Sequence, residues 1–396
     1  MTGLFDPLRK LLADTCSPVK SAEKIKQLKY KLSKIKPEKL KKLADTEFLP
    51  PLLYYHLKTF NIPGYSHMLP QLKDSYMRNT ARNVLLLKQL KALKKQAEQK
   101  GIKIILLKGA ALAMSVYNEI GLRPMDDIDI LVEQKHVDRI KELMEQNSMH
   151  PLFKDTNQNW LFNIKSHIVP YQTDDSILSL DVHTRLFDDR FIHFAELKPF
   201  ENTFTINWDN ESFLTLDPYT AFIYGLYHIA VHHNFSCKLR DIIDLSYAVS
   251  YYGLVPEKIF SYIDSTHAAG LFLPLIDTTF ELSGVKPEHH NAATISHAYL
   301  YWTNSVVMKY LPIQASSRLS DPALRIATVL TSGVKKWMLH IFRFTDYEVS
   351  IFYKSQKGGI LKKAFMGIWT IVIAIIYIVV LPLFYIKVKV QKIQTK

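Results

Sequence analysis

The spacing of apolar residues changes twice along the chain. Up to about residue 100 it is helical. In KPEKLKKLADTEFLPPLLYYHLKTF, Leu40, Leu43, Phe48, Leu52 and Leu53 recur at roughly helical intervals, interrupted at Pro50-Pro51. From about Ser75 to Lys100, Val84, Leu87, Leu90 and Leu93 form one apolar stripe with lysines opposite, and Gly101 is placed to end the helix. Extended segments follow. Ile102 to Leu107 reads as a strand that stops at Lys108-Gly109; a short helix and a turn through Gly121 and Pro124 lead to a second strand, Asp127 to Val132. Val137, Ile140, Leu143 and Met144 predict an amphipathic helix ended by Asn147 and Pro151. Asn163 to Tyr171 and Ile177 to His183 read as further strands.

Helical spacing returns at Asp217-Pro218, an N-cap followed by proline at the first helical position, and continues to about Ile341. The stretch 364–386 (AFMGIWTIVIAIIYIVVLPLFYI) has 23 residues and no charge. At about 1.5 Å per residue it is long enough to cross a hydrocarbon layer of about 30 Å, so a C-terminal transmembrane helix is expected. Pro382 permits a kink or re-entrant turn, and lysines on both flanks leave its orientation open. The divisions expected are a helical region 1–75, a mixed core 76–215, a helical domain 216–345, a basic linker 346–363, the membrane segment 364–386 and a basic tail 387–396.

Composition narrows the class. With 396 residues, 48% hydrophobic and 12% aromatic, the chain can bury two sizeable cores and is not a disordered protein. Its two cysteines, Cys16 and Cys237, offer neither a disulfide framework nor metal spacing, which suits a reducing compartment. The first twenty residues contain no apolar secretory segment. The net charge of +13 admits a polyanionic partner. Its lysines, however, crowd residues 20–42 and flank the apolar segment, which favours a membrane surface or solvated helix faces over nucleic acid.

Chemistry concentrates between residues 102 and 132. Alternate side chains of a strand share a face, so Asp127 and Asp129 point together while Ile128 and Ile130 enter a core. Two adjacent carboxylates repel unless a cation joins them. Mg²⁺ takes such oxygens and keeps positions for water and phosphate. Asp126 faces the other way. Lys108-Gly109, between a strand and a helix, suits close approach of a phosphate to backbone N–H groups. In the later strand Ser179, Asp181 and His183 share a face opposite Leu178, Leu180 and Val182; His183 orients the acid, touches substrate or is simply an edge-strand histidine. His228 and His232 stand at i, i+4 with no glutamate between them, which removes a zinc-hydrolase reading and leaves structural histidines. Arg240 and Asp244 form a potential i, i+4 pair.

Lys108-Gly109, a helix, then Arg123-Pro124-Met125-Asp126-Asp127-Ile128-Asp129-Ile130-Leu131-Val132 resembles the signature of the DNA-polymerase-β-type nucleotidyltransferases, in which a Gly-(Gly/Ser) turn precedes D-x-D. It departs from that signature in having Lys108 where glycine is commoner, and in the long gap from Gly109 to Asp127. Over about residues 35–250 the chain is similar to a bacterial group of nucleotidyltransferases often found with surface-polysaccharide loci. That likeness includes Leu180-Asp181-Val182-His183 and the histidines before Leu239-Arg240-Asp241-Ile242-Ile243-Asp244-Leu245.

The resemblance implies an α+β fold: a polymerase-β-like core with a small mixed sheet between helical N-terminal and C-terminal portions. It implies two Mg²⁺ ions held by Asp127, Asp129 and Asp181, with Asp181 also helping to deprotonate an acceptor hydroxyl. An NTP would be the donor, contacted by Lys108, Gly109, Arg123 and His183; an Arg123–Asp126 ion pair is the structural alternative. The acceptor stays open among a sugar, a lipid-linked glycan, a protein and RNA. The expected setting is a bacterial inner membrane with the catalytic part cytoplasmic. A catalytically inactive nucleotide-sensing or scaffolding membrane protein, and an RNA-modifying nucleotidyltransferase, are the alternatives.

Overall fold

The computed structural model describes residues 7–18, 21–152, 168–187, 194, 196–233, 237–264 and 269–285. The expected membrane segment 364–386 lies outside the described residues, as does most of the strand expected from Asn163. Among the described residues no helix is long and apolar enough to cross a membrane.

Four helices open the chain: α1 (Pro7–Cys16), α2 (Ala22–Leu32), α3 (Pro37–Thr46) and α4 (Pro50–Phe60). Pro50-Pro51 does separate two helices, because proline starts a helix readily and cannot continue one. A 31-residue helix, α5 (Leu69–Gln99), leads to the sheet. It buries Leu86, Leu87, Leu90 and Leu93 on one stripe, whereas Val84 is only half-buried.

Among the described residues the sheet has seven strands: β1 (Ile105–Leu106), β2 (Ile128–Leu131), β3 (Met149–Pro151), β4 (Tyr171–Thr173), β5 (Ser179–His183), β6 (Thr203–Trp208) and β7 (Glu211–Leu216). Their spatial order is β3-β4-β5-β2-β1-β7-β6. β2 runs parallel to β5 and β1 parallel to β7, and the other pairs are antiparallel. Helix α6 (Lys108–Ser115) connects β1 towards β2, and α7 (Val137–Gln146) buries all four residues of its expected stripe. On the far side come α8 (Pro218–Tyr227), α9 (Leu239–Tyr252), α10 (Pro256–Asp264) and α11 (Ala269–Ser283). Asp217 caps α8 as expected, accepting hydrogen bonds from the Tyr219 and Thr220 amides at 3.1 and 3.2 Å.

Two details differ from expectation. The strand expected over Ile102–Leu107 is paired only at Ile105 and Leu106. Ile105 already stands opposite Leu131, the last residue of β2, so residues before it have no ladder partner on that side. The β6–β7 hairpin is not among the strands expected from the sequence. Its two-residue turn is Asp209-Asn210, both at positive φ (48° and 59°), the conformation whose twist suits a tight hairpin.

The pleat sorts side chains into two cores. Leu106, Ile128, Ile130, Leu180 and Val182 pack with α5 and α7. Ile105, Leu107, Leu131 and Leu216 face the opposite layer, where Leu12, Leu40 and Leu52 of the N-terminal helices share a core with Phe222, Tyr227 and Ile243 of α8 and α9. Helices from both ends of the described residues therefore cover one face of the sheet. Residues 117–127, between α6 and β2, are held against α5 by its polar side chains. Asn79 donates to the Gly121 carbonyl (2.7 Å), and Asn83 to those of Ile120 (2.7 Å) and Arg123 (2.9 Å). Arg82 donates to the Met125 (3.2 Å) and Asp126 (3.1 Å) carbonyls.

Gly121 lets this loop approach α5: a Cβ there would lie 1.8 Å from Thr80 Oγ1 and 2.9 Å from Tyr76 Cε2. Gly121→Ala is expected to lower stability by about 1–3 kcal/mol, since the intruding methyl must push aside the Thr80 and Tyr76 side chains or shift the loop. A urea denaturation midpoint equal to wild type would contradict this contact.

Candidate active site

Three strands bring the site together. β2 and β5 are parallel neighbours in the register Asp129↔Asp181, so the two carboxylates stand side by side on one face. Leu131↔His183 is the pair two residues on, which sets the imidazole on that same face. β1 runs antiparallel to β2, and its exit therefore delivers Lys108 to the start of the acid-bearing strand; the Leu107 amide donates to the Asp129 carbonyl at 2.9 Å.

Asp129 and His183 are buried, at 7% and 3% exposure, among apolar neighbours that would expel an uncompensated charge. Compensation is local. Lys108 Nζ lies 2.6 Å from Asp129 Oδ1, and His183 Nε2 lies 2.9 Å from the same oxygen and 3.6 Å from Asp181 Oδ2. An ionised carboxylate only accepts, so Nε2 is the donor. Burial opposes ionisation of Asp129, but Lys108 and His183 outweigh it and hold this carboxyl well below the usual range. Burial likewise opposes the Lys108 charge, and Asp129 overrides it, raising the ammonium above its ordinary value. Asp127 precedes β2 by one residue at the exposed mouth of the same cavity. Shielding by the cavity walls, then the Asp129 charge, push its carboxyl up.

The ligand atoms of Asp129, Asp181 and His183 lie within 4.8 Å of one another and could hold a metal ion; Asp127 stands beside this trio rather than in it. Asp127, Asp129 and Asp181 line a cavity of about 580 Å³ between the sheet and helices α6, α8 and α9, and His183 lies buried behind them. Its opposite wall carries His228, His233, Lys238 and Arg240. His228 opens a π-helical turn ending at His232, the two rings stacked with centroids 5.3 Å apart. Burial, then Lys108, hold the His228 imidazole well below its usual value, so it is neutral at pH 7.

Arg123 is placed otherwise than the Asp126 pairing requires. It is buried, and its Nε and Nη2 donate to Asp244 Oδ2 at 3.1 and 2.9 Å, while Nη1 donates to the Pro124 carbonyl at 3.0 Å. Tyr117 donates to the other oxygen of Asp244 at 2.6 Å. Asp244 is thus taken, and Arg240 pairs not with it but with Asp241 (3.3 Å), also reaching the Pro124 carbonyl at 3.2 Å. Gly109 also has a different reason from the one expected. A Cβ there would lie 2.1 Å from Arg123 Nη1, so the glycine makes room for this guanidinium.

Asn79, Arg82, Asn83, Tyr117 and Tyr224 complete the surroundings of the site and are not among the residues expected from the sequence. Asn83 left a signal: it lies on the apolar stripe of α5, four residues before Leu87, and is fully buried. A buried polar side chain on such a stripe needs partners, and here they are loop carbonyls.

A model of a family of uncharacterised nucleotidyltransferases matches residues 33–269, which is more than half of the chain and includes every residue of the site. The chain belongs to that family. It is accordingly a nucleotidyltransferase, with a nucleoside triphosphate as donor substrate. No curated protein and no solved structure matches it.

Two measurements check these charge arrangements. Asp244→Ala leaves the Arg123 guanidinium buried without its counter-charge and is expected to cost about 3–5 kcal/mol in chemical denaturation. Removing the exposed pair Lys41–Asp45 (2.9 Å) should cost less than about 0.5 kcal/mol. The second is pH dependence. Asp129, held low when folded, contributes stability that is complete above its unfolded value of about 4 and is lost as pH falls. The acid limb of the stability curve should therefore be shallower in Asp129→Asn than in wild type; equal slopes would contradict the assignment.

Proposed function

We propose that the chain is a divalent-metal-dependent enzyme with a polymerase-β-like core, transferring a nucleotidyl group from an NTP to a hydroxyl-bearing acceptor. The observation that carries this reading is the register Asp129↔Asp181, which sets two carboxylates on the wall of one cavity with His183 packed beside them. The carboxylate oxygens of Asp129 and Asp181 suit Mg²⁺ or Mn²⁺. That a cationic group is welcome there is supported by the Lys108 ammonium 2.6 Å from Asp129. Asp129, through its other oxygen, and Asp181 would hold the ion, and His183, whose Nε2 donates to Asp129 Oδ1, would orient that carboxylate. Bound there, the metal would polarise the α-phosphate and offset the charge of the departing pyrophosphate.

In the proposed reaction the acceptor oxygen bonds to the α-phosphorus, the bond from α-phosphorus to the bridging oxygen breaks, and pyrophosphate leaves. We assign the acceptor's proton to Asp181. Lys108 stands where an incoming phosphate would meet a fixed positive charge. Gly109 and Arg123 act on the site through their contact with each other, which fixes the start of α6 against the loop before Asp127. The acceptor class we favour is a sugar or lipid-linked glycan, on the likeness to polysaccharide-associated nucleotidyltransferases and the lysine-flanked apolar stretch 364–386. That stretch would hold the enzyme to a bacterial inner membrane with the catalytic part on the cytoplasmic side.

The test is to incubate the full chain with each α-labelled NTP, Mg²⁺ or Mn²⁺, and a membrane extract as the acceptor source. Labelled product and pyrophosphate are expected, and Asp129→Asn or Asp181→Asn should each reduce the rate by about 10³-fold or more. Failure to bind any NTP, or transfer that survives both substitutions, would remove the reading.

A further inference from the structure

Lys108 occupies a backbone conformation that favours glycine. Its φ is 42°, in the left-handed region where an L side chain is strained. Strain of this kind persists only where surrounding interactions hold it. The interaction here is the lysine's own. Its side chain turns into the acid cluster instead of solvent, with Nζ 2.6 Å from Asp129 Oδ1 and 5.6 Å from the centre of the Tyr224 ring. His183 Nε2 donates to that same oxygen at 2.9 Å, so Oδ1 takes two charge-assisted or polar bonds and has little left for a metal.

Two divalent ions about 3.5–4 Å apart form a symmetric clamp on the reacting phosphate. At that separation a shared carboxylate commonly bridges the ions by offering one oxygen to each. Asp129 is the acid placed for this, being the buried member between Asp127 in its own strand entry and Asp181 across the ladder. One of its oxygens is already engaged by Lys108 and His183. We propose that the Lys108 ammonium is a built-in cation of the active site, holding the position on Asp129 that a second divalent ion would occupy, so that the site loads one divalent ion rather than two. The inference rests on the nucleotidyltransferase reading and refines it: the positive charge facing the substrate comes partly from the chain itself and is present before any metal binds.

Counting bound Mn²⁺ tests this. The full chain is titrated with Mn²⁺ in the presence of a saturating α,β-methylene NTP analogue, and bound ions are counted by electron paramagnetic resonance. Wild type and Lys108→Arg are expected to bind one ion per chain. Lys108→Gly, which relieves the backbone strain and removes the ammonium, is expected to bind two; its circular dichroism reports that it is folded. Two ions in wild type, or one in folded Lys108→Gly, overturns the proposal and leaves the nucleotidyltransferase reading standing. No bound ion and no bound analogue in wild type overturns both. The wild-type count decides by itself if the glycine variant does not fold.

Discussion

A carboxylate in the middle of a sheet, facing an apolar helical layer, is the constraint from which the rest of this molecule is arranged. Strand alternation leaves Asp129 no choice of face once Ile128 and Ile130 are committed to the core with α5 and α7. Its charge must then be matched from neighbouring strands, because solvent reaches it only through the cavity. β1 brings Lys108 and β5 brings His183, each by its pairing with β2. Strand pairing and charge pairing are therefore coupled. A one-residue slip of β5 would place Leu180 or Val182 beside Asp129 and turn His183 into the opposite core, so the register is fixed by electrostatics as well as by burial.

The helices hold the site from both faces of the sheet. On one face α5 grips residues 120–126 through three polar side chains that bond only to backbone carbonyls, so the loop is held by its main chain whatever its side chains are. On the other, Arg123 reaches through to Asp244 of α9. Asp244 is bonded to Tyr117, which stacks on Tyr247 at 4.5 Å, and Tyr247 pairs with His56 of α4 at 3.0 Å. This chain of contacts ties the entry to the acid strand to helices from both ends of the described chain. Two arginines, Arg123 and Arg240, share the Pro124 carbonyl, so the turn just before Asp126 is fixed by a separate anchor in α9. Positioning Asp129 to a fraction of an ångström requires this kind of support, because its strand is only four residues long.

What could be read in the sequence was what local periodicity determines. The stripe of α7, the cap at Asp217, the alternation around Asp181 and the apolar face of β2 all depend on residues within a few positions of each other. The acids and His183 followed from that alternation. Partners distant in the chain did not. Asp244 is 121 residues from Arg123, and nothing near either one shows that they meet; Arg240 offered a nearer but incorrect partner. The hairpin at Asp209-Asn210 could have been read, since an Asp-Asn pair between alternating segments is a turn signal, but Thr203–Trp208 is half-exposed and its alternation is weak. β1 was overestimated for a third reason. Strand propensity over Ile102–Leu107 is real, but a strand's length is set by its neighbours, and β2 ends opposite Ile105.

Lys108-Gly109 shows how the same two letters can be right for different reasons. A lysine and a glycine between strand and helix suggested a phosphate-facing turn whose glycine opens the backbone. In the folded chain the residue with the glycine-like backbone is the lysine, at φ 42°, and the glycine is not among the positions of positive φ. Gly109 is small because Arg123 fills the space where its Cβ would be. Lys108 bears the backbone strain because its ammonium neutralises Asp129. The pair therefore joins the two charge systems of the site, one residue touching the Arg123–Asp244 bridge and the next the acid cluster. An exchange of the two residues would change both: a side chain at 109 would displace Arg123, and glycine at 108 would leave the charge of Asp129 to be matched by His183 and bound metal.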